Sequence, residues 1–186
     1  MTSPSTTILR DTLLRPGSKY DAHLLSLRHR DGVEEERVIV RHPGACVIVP
    51  VLSDGRLVLI RNRRVTLDAT ILEFPAGTRR PNEDPASCAR RELQEETGFE
   101  ARALTPLGSF FTAPGLTDER MFAFLAADLR HVGASPEPDE DLGVELHSLA
   151  GVWSMVDSGQ LIDAKSIVAL LLAQRRDGLH GVLDGT

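Results

Sequence analysis

Cysteine is scarce in this 186-residue chain, with only Cys46 and Cys88 present. Two thiols without ligand spacing exclude both a disulfide framework and a zinc-finger-type site. Each lies in an apolar stretch and reads as a packing residue, and a reduced cytoplasm is the expected compartment. Long apolar runs are also missing. The longest nearly apolar segments, 44–52 and 167–173, are too short to span a bilayer. The first seven residues are polar and rich in Ser and Thr, without the basic and apolar regions of a signal peptide, so a soluble protein with a frayed N-terminus is expected. A surplus of positive charge is lacking too. The 21 Lys and Arg stand against 27 Asp and Glu, a net charge of −6, which argues against the basic face of a nucleic-acid binder.

What the chain does have is apolar content of 41%, enough for the core of one ordinary domain, and acids that are unevenly spread. Residues 83–100 hold Glu83, Asp84, Glu92, Glu95, Glu96 and Glu100 against Arg90 and Arg91, and residues 137–145 hold Glu137, Asp139, Glu140, Asp141 and Glu145 with no base. A mildly basic body with two acidic concentrations suits a cation site, although solvated charge explains such windows equally well at this stage.

Strand-like runs are expected at 8–14, 20–29 and 36–41, with turns at Arg15-Pro16-Gly17 and Asp31-Gly32. A tight hairpin is expected where 45–52 and 56–61 flank Ser53-Asp54-Gly55, followed by a short strand at 71–74 and a loop at Pro75-Ala76-Gly77. Asp84-Pro85 reads as an N-cap and N1 pair and Gly98 as the residue after the helix end, which predicts a helix over 85–97. Further strands at 103–111, 120–129 and 144–149 and helices at 152–158 and 163–176 complete a mixed sheet with helices on its faces.

On a helical projection of 85–97, Glu92, Glu95 and Glu96 gather on one face, beside a packing face of Ala86, Ala89 and Leu93. Like charges four apart destabilise a bare helix. A hard cation such as Mg²⁺ or Mn²⁺ offsets that repulsion using oxygen ligands alone. Arg91 points away by about 100° and is placed to orient a carboxylate from behind.

Gly77, five residues, Glu83, seven residues, Arg91-Glu92-Leu93, Gln94, Glu95-Glu96, Thr97, Gly98-Phe99: this string resembles the 23-residue box of the Nudix hydrolases at each of its nine defined positions. The resemblance implies a Nudix fold, an α/β/α sandwich around a mixed sheet, and divalent-metal-dependent hydrolysis of a nucleoside diphosphate linked to another moiety. Outside the box, His42-Pro43-Gly44-Ala45, the run 58–64, Leu72-Glu73-Phe74-Pro75-Ala76-Gly77 and Ala113-Pro114-Gly115 resemble the ADP-ribose pyrophosphatase branch. Pro114, sixteen residues past Gly98, is the most telling of these. That branch usually has Gln-Tyr-Arg where this chain has Asn62-Arg63-Arg64, and the adenine-clasping aromatics of some members find no obvious match among eight aromatic residues.

By that resemblance Glu92, Glu96 and the Ala76 carbonyl hold metal, Glu95 shares a metal or its water, and Glu83 supports the site. Glu140, with Glu137 and Asp141 as alternatives, is the loop base. Arg64 takes the place of the branch's arginine. Arg61, Arg63 and Arg64 at a strand end suit phosphates or else protect an exposed edge. Glu73 is either a substrate- or metal-side group or a solvated edge residue, and Pro114 and Gly115 line the substrate side. Gly77, Gly98 and Gly115 are read as turn residues, and Trp153 as a core or interface residue rather than a stacking platform. None of the six histidines is assigned to catalysis. The expected organisation is an N-terminal β arm over 1–41, antiparallel and dimerising, and a hydrolase domain over 42–180. The expected reaction is ADP-ribose to AMP and ribose 5-phosphate by a cytoplasmic homodimer, with GDP-mannose or another nucleotide-sugar, or an idle nucleotide sensor, as rivals. Neither nucleic acid nor membrane is an expected partner.

Overall fold

A computed structural model describes residues 5–134 and 142–176. Contacts divide it into two compact units, and each has its own sheet structure. The described residues up to Gly44, with Phe111–Arg120, form the first; Ala45–Phe110 and the described residues from Met121 onward form the second.

The first unit is an antiparallel sheet in the order β1 (Thr6–Arg15), β2 (Asp21–His29), β3 (Glu34–Arg41), in register from Thr6 opposite His29 and from Asp21 opposite Arg41. Among the described residues its buried core cluster is Leu25, Leu27 and Ile39. Ile8, Leu9, Leu13, Leu14 and Val38 stay exposed within it. The segment carrying Pro114 and Gly115 joins the edge of β3: Val40 N–H donates to Leu116 O at 3.0 Å, Arg41 pairs with Asp118 at 2.9 Å, and Val40 and Thr117 form a parallel bridge.

The second unit is a sandwich. Its four-stranded sheet runs β7 (Ala76–Thr78), β4 (Ala45–Pro50), β9 (Arg120–His131), β8 (Phe99–Phe111). β4 pairs antiparallel with β7 and parallel with β9, so the sheet is mixed. Alternation along β4 sends its residues to two cores. Cys46 and Ile48 pack with Cys88, Ala89 and Leu93 of α1 (Pro85–Thr97). Val47 and Val49 pack on the other side with Val152 of α2 (Leu149–Asp157) and Ala169, Leu170 and Ala173 of α3 (Ala164–Arg175). That core also takes Leu57, Leu59 and Leu72 from a second sheet, β10 (Leu142–His147), β5 (Leu57–Arg64), β6 (Ala69–Glu73), which is antiparallel throughout. The α/β/α arrangement expected from the sequence is therefore present.

Two expectations are corrected. The turn at Asp54-Gly55 forms, with Leu52 N–H donating to Arg56 O at 2.8 Å, but β4 and β5 do not continue as a hairpin. A single bridge, Val51 to Leu57, joins them before they enter different sheets, because β9 and β10 offer each strand a longer partner. Of the loop expected at Pro75-Ala76-Gly77, Ala76 and Gly77 instead belong to the edge strand β7 (Ala76–Thr78). Among the described residues no helix is long and apolar enough to cross a membrane.

Candidate active site

Helix α1 sets the geometry, and short-range signals set the helix. The Asp84 carboxylate accepts from Ala86 N–H and Ser87 N–H at 3.0 and 3.1 Å, Pro85 occupies the first turn, and Gly98 closes the end at φ 74° with its N–H on Gln94 O. With both ends pinned, the carboxylates cannot slide around the axis. Glu92 and Glu96 are 7% and 3% exposed and belong to the buried face itself, rather than only adjoining it, and Glu95 is half-buried.

They are buried against β7. A Cβ on Gly77 would lie 2.0 Å from the Glu92 carboxyl carbon and 2.1 Å from its Oε1, so glycine is required here for close approach and not for a turn. One residue earlier, Ala76 N–H donates to Glu96 Oε2 at 2.8 Å. Gly115, by contrast, has open space around it.

Arg91 divides its guanidinium among three carboxylates. Nε and Nη2 reach the two oxygens of Glu83, each at 2.9 Å, and Nη1 reaches Glu92 at 2.6 Å and Glu95 at 2.9 Å. Nη2 also donates to Thr78 O at 3.2 Å, tying the helix to the end of β7. The expectation that Arg91 braces carboxylates from behind matches this placement. The Arg91 guanidinium, with Arg80 N–H, outweighs the opposing effect of burial and holds the Glu83 carboxyl at about 2. The Arg91 pKa is raised in turn, chiefly by Glu83.

The donor set fits a hard divalent cation. It is made of carboxylate oxygens, and the glycine seat lets the Glu92 carboxylate lie directly against the β7 backbone. Among the described residues no three Asp, Glu, His or Cys groups are already drawn together into a closed metal cage. Cys46 and Cys88 are fully buried packing residues, and the Cys88 thiol is pushed up by the neighbouring Cys46 and by burial.

A second charged cluster lies at the end of β6. Glu73, on an edge strand, is 0% exposed, which removes the solvated reading. Its Oε2 accepts from Arg64 Nη2 at 2.7 Å and from Lys165 Nζ, and Lys165 is also 2.9 Å from Asp163. Burial works against the charge of Arg64, but the bond to Glu73 outweighs it and the pKa is raised, with Glu96 and Asp163 adding to the attraction. Arg61 and Arg63 alternate to the other face of β5, where they pair with Glu145 and Asp68. The structure thus brings Ala76, Glu92, Glu95 and Glu96 together and sets Arg64 and Glu73 beside them, without Arg61. Pro114 and Gly115 lie in the first unit, lining an open pocket of about 330 Å³ with Ile39, Arg37, Arg41 and Phe111. Glu140, with Glu137 and Asp141, lies outside the described residues. Sequence reading missed Asp163, Lys165 and Ser166. Asp163 carried a legible signal as the N-cap of α3, accepting from Ser166 N–H at 3.1 Å, but nothing local tells where Lys165 points.

The NUDIX domain family matches residues 40–176. The chain is 35% identical over 166 residues to an ADP-ribose pyrophosphatase of Bacillus subtilis (strain 168), an alignment covering 88% of this chain and 90% of that one. It is 33% identical over 151 residues to a methanol dehydrogenase activator of Bacillus methanolicus, covering 80% and 82%. Its structure resembles the crystal structure of an ADP compounds hydrolase with a TM-score of 0.81 at 27% identity, over 98% of this chain and 99% of that one.

Proposed function

The chain belongs to the Nudix hydrolases, and from that premise we propose that it hydrolyses the pyrophosphate of a nucleoside diphosphate-sugar, taking ADP-ribose to AMP and ribose 5-phosphate. The observation that carries this reading is the buried pair of carboxylates seated on one short strand, Glu92 on Gly77 and Glu96 on Ala76 N–H. The likeness to an ADP-ribose pyrophosphatase over most of both chains supports the choice of substrate.

Held by Glu92, Glu95, Glu96 and the Ala76 carbonyl, Mg²⁺ or Mn²⁺ would supply charge neutralisation on the pyrophosphate oxygens and a more acidic water. The protein's own groups do the rest. Arg91 keeps Glu92 and Glu95 oriented, and Arg64, anchored through one Nη on Glu73, offers its remaining donors to phosphate oxygen. Glu140 accepts the proton of the attacking water. As the new phosphorus–oxygen bond forms, the bond from that phosphorus to the bridging oxygen breaks, and the bridging oxygen leaves on the other phosphate. Pro114 and Gly115 line the substrate side of the arm. The same reading takes residues 1–41 as a dimerising arm, in keeping with the exposed Ile8, Leu9, Leu13 and Leu14, residues 42–180 as the hydrolase domain, and the cytoplasm as the compartment.

The test is a panel of ADP-ribose, GDP-mannose, NADH, Ap4A and nucleoside triphosphates incubated with Mg²⁺, with products separated by chromatography. ADP-ribose should be converted fastest, and Glu96→Gln should lower that rate by about 10³-fold with the fold retained. Preference for GDP-mannose overturns the substrate alone, whereas binding without turnover of any compound overturns the enzyme reading in favour of a sensor.

A further inference from the structure

Four consecutive residues, Glu73 to Ala76, are each held by a different group. The Glu73 carboxylate is gripped by Lys165 and Arg64, Phe74 N–H donates to Ser166 Oγ at 2.7 Å, Pro75 O accepts from Ile48 N–H at 2.9 Å, and Ala76 N–H meets Glu96. Two of these four holds come from the first turn of α3, a helix 92 residues further along the chain. We propose that Lys165 and Ser166 are positioning residues: they clamp the Glu73–Phe74 end of this segment and thereby set Ala76 and Glu96 for metal, and Arg64 for phosphate. The inference rests on the reading that Ala76 and Glu96 belong to a metal site.

The reach is short. Residues 73 to 76 span roughly 10 Å even when fully extended, Pro75 removes one soft dihedral within that span, and the Phe74 side chain is locked at 0% exposure. A shift at Glu73 therefore reaches Ala76 with little slack to absorb it. The cluster is also poorly arranged for stability alone. Both cations crowd Glu73 Oε2, while Oε1 is buried without a hydrogen-bond partner, and a buried ion pair is commonly no more stabilising than apolar residues of the same size. The residue type fits as well. Only Lys19 and Lys165 are lysines among the 21 basic residues, and Lys165, 14% exposed, uses a compact ammonium to bridge Glu73 and Asp163 where a planar guanidinium is bulkier.

Mn²⁺ binding to the full chain, followed by electron paramagnetic resonance without substrate, tests this independently of turnover. Lys165→Met should weaken Mn²⁺ binding by about 10-fold, Ser166→Ala should act in the same direction, and Lys165→Arg should recover part of the loss. Glu73→Gln combined with Lys165→Met should bind no more weakly than the worse single variant, since Lys165 acts through Glu73. A clamp that serves only folding would lower the melting temperature of folded Lys165→Met and Ser166→Ala and leave Mn²⁺ affinity at the wild-type value, and that result overturns the inference. Glu96→Gln separates the two levels. If it loses Mn²⁺ while the α3 variants keep it, only the positioning role falls; if it binds as wild type, the metal reading falls and this inference with it.

Discussion

The two charged clusters of the second unit are built in opposite ways. At α1 one guanidinium, Arg91, is shared by three carboxylates, Glu83, Glu92 and Glu95. At the end of β6 one carboxylate, Glu73, is shared by two cations, Arg64 and Lys165. An arrangement short of positive charge is one that an added cation can complete. An arrangement in which two cations, Arg64 and Lys165, face two carboxylates, Glu73 and Asp163, has no deficit of positive charge and holds backbone in place. The two clusters are linked by only three residues of chain between Glu73 and Gly77.

The strongest way to break that contrast is Arg91→Met. Removing the shared cation leaves three carboxylates at close quarters with only the exposed Arg80, 3.4 Å from Glu95, beside them, and the expected loss is about 3–5 kcal/mol, read as a melting temperature roughly 10 °C lower. Mg²⁺ should restore more of this loss in the variant than it adds to the wild type. Lys165→Met leaves Glu73 its Arg64 and should cost less, so an equal or larger fall there would refute the contrast. Next in size is Gly77→Ala, where the new methyl collides with the Glu92 carboxylate. Its expected cost is about 1–3 kcal/mol with a loss of Mg²⁺-dependent hydrolysis, whereas Gly115→Ala, in open space, should change stability by less than about 0.5 kcal/mol. Equal effects at the two glycines in a thermal melt and activity assay would remove the close-approach argument.

The smallest effect sharpens the picture through pH. Glu83 has its folded pKa depressed from 4.5 to about 2, so its contribution is fully present above about 4.5 and is lost as the pH falls through about 2. The stability gap between wild type and Glu83→Gln should be constant above about pH 5 and close towards pH 2. Thermal melts that show a constant gap across this window would place the Arg91 partnership elsewhere.

Legibility in the sequence followed the range of the interaction. Helix α1 was readable to the residue because Asp84, Pro85 and Gly98 act within one turn of where they stand. The carboxylate face followed from that register, and the box around it from spacing. β7 was not readable: three residues containing a glycine have no alternation, and their strand character comes from pairing with β4. The β4–β5 turn was legible from Asp54-Gly55, but the separation of its strands into two sheets depends on β9 and β10. Strand alternation sends Arg61 and Arg64 to opposite faces, yet which face carries Glu73 is decided by the β5–β6 register. Lys165 and Ser166 were the least accessible, since their partners lie at Glu73 and Phe74 on another element.

The long-range grip of α3 on β6 also bears on synthesis. A ribosome adding about 5–20 residues per second reaches Lys165 roughly 5–20 s after Glu73 has been made. Throughout that interval the nascent chain holds the whole box, Gly77 to Phe99, without the helix turn that anchors the segment entering it. On the proposed clamp, the metal site would be complete only once α3 has been made, and a chain truncated before Asp163 would carry every residue of the box yet lack the Lys165 and Ser166 anchors.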